Sequence, residues 1–140
     1  MIIFWPRRVT FGAETWDGVV AVSIDRVGVR AVVEWSDYGP HPIFADSPEL
    51  RTTITVSMEI MRGVVASPRP GQVAMLTVDI SPNTSQSQVR RVTAQAVVVR
   101  VTHDLTVKKG AVRTIELLAV SSDGAADPIT ETLIHGMEPK

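Results

Sequence analysis

Hydrophobic and polar positions alternate along most of this chain with the two-residue period of a β-strand. The clearest case is Thr52–Ile60. Ile54, Val56, Met58 and Ile60 fall on one face, and Thr55, Ser57 and Glu59 on the other. Gln72–Ile80 repeats the pattern, with Ala74, Leu76, Val78 and Ile80 opposed to Thr77 and Asp79. The densest β-branched stretch is Arg91–Val107. Lys108-Lys109-Gly110 and a second run, Ala111–Val120, follow it. A tight turn between two such runs predicts a long hairpin with cover on both faces. Within its first strand the apolar phase flips at Ala96-Val97. A flip at period two requires a bulge, or passage of the strand from one packing environment to another.

Nearer the N-terminus, Val9–Phe11 predicts a short strand and Thr15–Gly18 a turn. Val19–Asp25 and Ala31–Tyr38 predict two strands joined at a bend at Gly28. Gly39–Pro48 holds three prolines and predicts a loop, because proline removes ladder donors. Arg62–Gly71 reads as a second break. Ser81-Pro82 could start a short helix over Pro82–Gln88, but the residues behind it form helices poorly. The fold class predicted is all-β, or mainly β with one short helix. It takes the form of a single β-sandwich or flattened barrel over residues 1–140. An N-terminal arm spans about residues 1–8 and a C-terminal arm about residues 124–140.

Composition narrows the function classes. The chain has 140 residues, net charge −1 and no cysteine. A chain of this length can bury a real core. The balanced charge gives no broad basic footprint for nucleic acid and no polybasic membrane patch. The absence of cysteine excludes disulfides and thiolate metal sites. The apolar start, Met1–Trp5, is too short for a signal segment, and no run of about 18 apolar residues spans a membrane. The expectation is a soluble product made in the cytoplasm, with no membrane partner.

Catalytic patterns are missing. His41, His103 and His135 share no metal-ligand spacing, and His103 reads as a strand-surface histidine. Glu34, Asp37, Asp46 and Glu49 read as solvated loop acids. Asp123-Gly124 with Asp127 lacks the ligand ladder of a calcium loop. No nucleophile elbow, phosphate loop or zinc-protease helix motif occurs. Arg90, Arg91, Arg100, Lys108 and Lys109 lack interleaved aromatics and read as edge protection. The expectation is not an enzyme, with no cofactor and no metal.

From Gly39 to Ile129 the order of features resembles the tail tube proteins of long-tailed bacteriophages. The resemblance rests on Gly39–Asp46, the alternating strand Ile54–Ile60 and the Pro70-Gly71 break. It rests also on the hairpin with its Lys108-Lys109-Gly110 turn, and on Ser121–Ile129. It implies a structural virion protein whose hexameric rings stack into a tube. The sheet continues from subunit to subunit around a lumen that DNA crosses during ejection without specific binding. The implied partners are further copies of the chain and other tail proteins: tape measure, terminator, baseplate, and a sheath if the tail contracts. On this resemblance Thr55, Ser57, Glu59, Thr77 and Asp79 are expected to face the lumen. Trp5, Phe44, Val64, Val65, Ile129 and Leu133 are expected at contacts between subunits or rings. The alternatives are another ring-forming tail protein (a terminator or baseplate ring) or a monomeric ligand- or glycan-binding β-sandwich. In the latter, Trp16, Trp35 and Tyr38 would line the pocket.

Overall fold

The computed structural model describes residues 2–4, 6–60, 68–80, 89–106 and 110–134. Over these the chain is all-β, without a helix. The candidate helix at 82–88 lies outside the described residues. The strands are β1 (Ile2–Phe4), β2 (Pro6–Phe11), β3 (Glu14–Trp16), β4 (Val19–Trp35), β5 (Pro42–Ile60), β6 (Val73–Ile80), β7 (Val89–Thr106), β8 (Gly110–Ala119) and β9 (Thr130–Ile134). They form one antiparallel sheet in the order β1-β4-β5-β8-β7-β6-β2-β3, with β9 also paired to β7.

The alternation read in the sequence explains how the sheet packs. Ile54, Val56 and Met58 of β5 are buried, as are Leu76, Val78 and Ile80 of β6. One apolar face per strand can leave water only by folding the sheet over on itself. Val22, Ile24 and Ile54 accordingly meet Leu76, Val78, Val92 and Ala94 around a cavity of about 10 Å³. That space is too small and too apolar to hold water. The result is a sandwich that no continuous ladder closes into a barrel. The two margins are instead straddled by the N-terminal segment. β1 pairs with β4, and β2, next in the chain, pairs with β6. Residues 2–4 and 6–8 are therefore sheet, not a separate arm. The C-terminal stretch also contributes a strand, β9, against Val89–Thr93.

Three local readings change. First, the turn expected at Thr15–Gly18 begins later. Glu14–Trp16 is a strand, and Trp16 is buried with its ring stacked on Phe11 at 5.2 Å between centroids. Second, β4 is one 17-residue strand, not two, and β5 runs through the proline-rich stretch for 19 residues. Together they make a long ribbon. Gly28 is not a bend between strands. A Cβ there would lie 2.0 Å from Ser47 Oγ, so glycine lets the two strands approach beside the register shifts at Gly28/Arg30 and Arg30/Val32. Prolines are tolerated because β5 has a ladder partner on one side only before Thr53. Third, the phase change in β7 is real but lies further along. Val92, Ala94, Ala96 and Val98 are all buried, and the register shifts between Val98 and Arg100.

The β7–β8 hairpin is present as expected, ending at Thr106 opposite Gly110 (φ 78°). Its cover is incomplete, since Val99 and Leu105 are exposed. Arg113 takes a core-side position in line with Ile115 and Leu117 and is buried. Its Nε donates to Nε2 of His103, its cross-strand neighbour, at 3.0 Å. His103 is thus a partner within the hairpin and not a lone surface histidine.

Candidate functional site: a polar wall and an open ribbon

The outward positions of β4, β5, β8 and β7 line up across four strands. Ser23, Thr55, Glu116 and Arg100 form one row. Ala21, Ser57, Thr114 and Thr102 form the next, and Glu59, Val112 and Asp104 a third. The face they build is mostly small and hydroxyl-bearing. With Asp25 it carries four carboxylates and one cation, Arg100, whose guanidinium is 3.9 Å from Glu116 and largely exposed. An exposed pair at that distance contributes little to stability. The wall therefore keeps a net negative charge.

Thr55, Ser57 and Glu59 sit together on this wall. Thr77 and Asp79 do not. They lie on the outward side of β6, beyond the core from β5, in rows with Thr93 and Arg91 of β7 and with Thr10 and Arg8 of β2. One lumen surface therefore takes one of these two sets. Asp79 is also engaged, receiving two hydrogen bonds from Arg91 at 2.8 and 3.2 Å. That bonding holds the Arg91 pKa above its usual value. The sequence reading missed the contributions of β8 and β7 to the wall. Thr114 and Glu116 were masked by the overall apolar character of their run, although their parity against Ile115 and Leu117 places them outward.

Among the described residues, each margin of the wall is open over part of its length. β7 pairs with β8 over Val99–Thr106, and no described residue pairs with its other edge there. At the opposite margin, β1 covers β4 only at Val22–Ile24. Neither Val19–Trp35 nor Val99–Thr106 contains proline or lysine, and the devices that remain against edge pairing are the register shifts of β4 and charged side chains such as Arg26 and Arg100.

Beyond Arg26 and Thr52 the β4–β5 ribbon stands outside the core. No core residue lies between Asp25 and Arg51. Its far end exposes Trp35 (58%), Tyr38 (97%), Ile43 (67%) and Phe44 (49%). Among residues expected at contacts between copies, Phe44 is thus presented to solvent. Ile129 is partly buried against the chain's own core. Leu133 lies in β9 opposite Arg90. Trp5, Val64 and Val65 lie outside the described residues. The pocket imagined for a monomeric binder does not form: Trp16 is in the core, while Trp35 and Tyr38 are exposed on the ribbon.

The ribbon base is clamped by the loop after β8. Arg26 Nη1 bonds both carboxylate oxygens of Asp127, at 3.0 and 3.1 Å, beside a groove of about 640 Å³ that Pro48, Leu50 and Val120 help to line. The Asp127 pKa is lowered, first by the Ile129 amide and then by Arg26. The Asp123 pKa is lowered by the amides of Ala126 and Ala125 and by the Ser121 hydroxyl. A depressed carboxylate stabilises the folded loop above its unfolded pKa and stops doing so as pH falls through the folded value. Amide exchange followed by NMR should therefore show Ala125, Ala126 and Ile129 protected near neutrality. That protection should fade below about pH 4, the ordinary aspartate range. Unchanged protection under strong acid would mean that the carboxylates do not hold the loop.

Among the described residues no group of three or more His, Cys, Asp or Glu is placed to hold a metal ion. No protein-family model matches the chain, and no curated protein matches it significantly.

Proposed function

We propose that this chain is a structural virion protein of a long-tailed phage, whose hexameric rings stack into the tail tube through which DNA leaves. The observation that carries the reading is the four-stranded polar wall whose two margins, among the described residues, are paired over only part of their length. Such a sheet is incomplete alone, and edges left bare of proline and lysine invite pairing with another chain. Joining the β7 margin of one copy to the β4 margin of the next continues the wall. Repetition around a closed ring removes the edges altogether.

The chemistry of the wall suits a conduit. Duplex DNA carries dense phosphate charge. Threonine and serine hydroxyls with a surplus of carboxylates offer it no cationic foothold beyond the single Arg100, which faces Glu116, so it passes without being held. Thr55, Ser57 and Glu59 then face the lumen together with Ser23, Thr102, Thr114 and Glu116. Nothing in this role requires a cofactor or a reaction. The protein works in the virion with other copies of itself and with the tape measure, terminator and baseplate proteins.

The test is electron microscopy of the purified chain beside sedimentation velocity across a concentration series. Rings with a central hole, and tubes built from them, are expected. A single compact monomer at every concentration would overturn the reading.

A further inference from the structure

A single short ladder holds β1 to the sheet. The strand is 3 residues long. Its only ladder partner among the described residues is β4, where Ile2 pairs with Ile24, Ile3 with Ser23 and Phe4 with Val22. β2 begins at Pro6 but belongs to the opposite margin, fixed there by β6 on one side and β3 on the other. Releasing β1 therefore breaks one ladder and leaves β2 in place.

The edge that β1 occupies is the one a longer wall needs. From β4 the wall takes Ala21, Ser23 and Asp25. Ser23 is the middle of these, and β1 pairs with it and with both its neighbours in the chain. The free edge of a strand offers one set of amides and carbonyls, enough for one ladder. The Val99–Thr106 edge of another copy cannot extend the row at Ser23 while β1 is there. Pairing on the far edge of β1 instead would leave most of that stretch without partners, because β1 is only 3 residues long. Strand sense points the same way. Each step from β4 through β5 and β8 to β7 is antiparallel, so β7 runs opposite to β4. Rotation about a ring axis preserves that sense, so the next copy's β7 also meets β4 antiparallel. β1 is antiparallel to β4 as well. It gives β4 the kind of ladder that the incoming strand would give, over a shorter length.

We propose, building on the ring-forming reading above, that β1 guards the β4 margin of the free chain and is displaced by the Val99–Thr106 edge of a second copy when two copies join. The exchange replaces a short ladder with a longer one, which favours the joined state. Until then β1 caps the middle of an edge that would otherwise pair indiscriminately. The free chain is thus held back by a strand of its own, and assembly includes a strand exchange.

Locking β1 in place tests this. The chain has no cysteine, so a single disulfide can be introduced without competing thiols. Ile3→Cys/Ser23→Cys puts the two sulfurs on directly paired residues, within the separation a disulfide spans. Oxidised with diamide, and shown by non-reducing electrophoresis to be bridged within one chain, the variant should stay monomeric in sedimentation velocity. Reduced with dithiothreitol, it should assemble like the wild type. Deleting Ile2–Phe4 should act in the opposite direction and lower the concentration needed for assembly by roughly tenfold, since no strand has to be displaced first. Circular dichroism confirms that each variant is folded, and either one decides the matter if the other fails to fold. If the locked chain assembles as its reduced form does, β1 is a permanent strand of the wall and the exchange is wrong, while the tube reading stands. The same conclusion follows if the shortened chain assembles no more readily than the wild type. A wild-type chain that never leaves the monomer, and stays there without Ile2–Phe4, overturns both.

Discussion

Replacing Gly18 with alanine is expected to be among the most damaging single changes in the body of this protein. Gly18 has φ +75°, and a Cβ built there lies 2.4 Å from the carbonyl oxygen of Glu59. The approach is not incidental, because the Glu59 amide donates to the Gly18 carbonyl at 2.9 Å and ties the start of β4 to the end of β5. Alanine would adopt a left-handed conformation at about 1–2 kcal/mol and force backbone apart at roughly 1–3 kcal/mol more. The sum is about 2–5 kcal/mol, or a fall in Tm of roughly 6–20 °C for a chain of this size. Gly71 is the control. It has φ +96° with nothing within 4 Å of a built Cβ, so Gly71→Ala carries the conformational cost alone. If the two variants melt within about 2 °C of each other, the contact with Glu59 is not a constraint on the fold.

The same residues show why parts of the fold could be read in advance and others could not. Period-two alternation at Ile54–Ile60 and Ala74–Ile80 has one physical cause, a sheet face packed on a core, and it identified β6 and the core-facing half of β5. The ribbon gave no such signal. Its strands project past the core, so neither face of Val27–Trp35 or Pro42–Leu50 is fully buried, and alternation has nothing to report. Gly28, Pro42 and Pro48 then look like breakers. In the structure they are features of a two-stranded element, where an edge needs no donor and close strands need a missing Cβ. The bulge in β7 announced itself as a phase change, but its position was obscured because Val97, Val98 and Val99 are chemically alike while only Val98 is buried. Arg113 was readable by parity with Ile115 and Leu117. Residue type alone places arginine outside, and only the hydrogen bond to His103 shows how it is accommodated.

The wall was half visible for a related reason. Thr55, Ser57 and Glu59 could be taken from one strand, but a face is a property of register, and register between distant strands is not written in either strand. Thr77 and Asp79 have the same local texture as Thr55 and Ser57. Folding the sheet over its core turns them to the opposite side. A search for lumen residues by polarity therefore collects both outer faces of a sandwich, and only the ladder partners separate them.

Removing the outer ribbon should abolish assembly and spare the fold. The variant joins Arg30 to Glu49, its ladder partner, through a two-residue Asn-Gly turn, the pair that suits a short hairpin. Every member of the buried core lies outside the deleted stretch, and the Arg26–Asp127 clamp is kept. The shortened chain should therefore melt cooperatively, within a few degrees of the parent. What it loses is Trp35, Tyr38, Ile43 and Phe44, all exposed near the ribbon tip. Aromatic anchors of this kind commonly contribute about 2 kcal/mol or more each at an interface. Even Trp35→Ser alone should weaken association by roughly thirtyfold. The full deletion should leave only monomers in sedimentation velocity at concentrations where the parent, on the proposed function, is expected to form rings or tubes. Should the shortened chain assemble as the parent does, the ribbon is not an assembly element, and the contacts that hold copies together must be sought at the β4 and β7 margins alone. Loss of both folding and assembly would instead mean that the outer ribbon itself stabilises the body. Trp35→Ser, which leaves the clamp and the backbone intact, separates that outcome from the expected one.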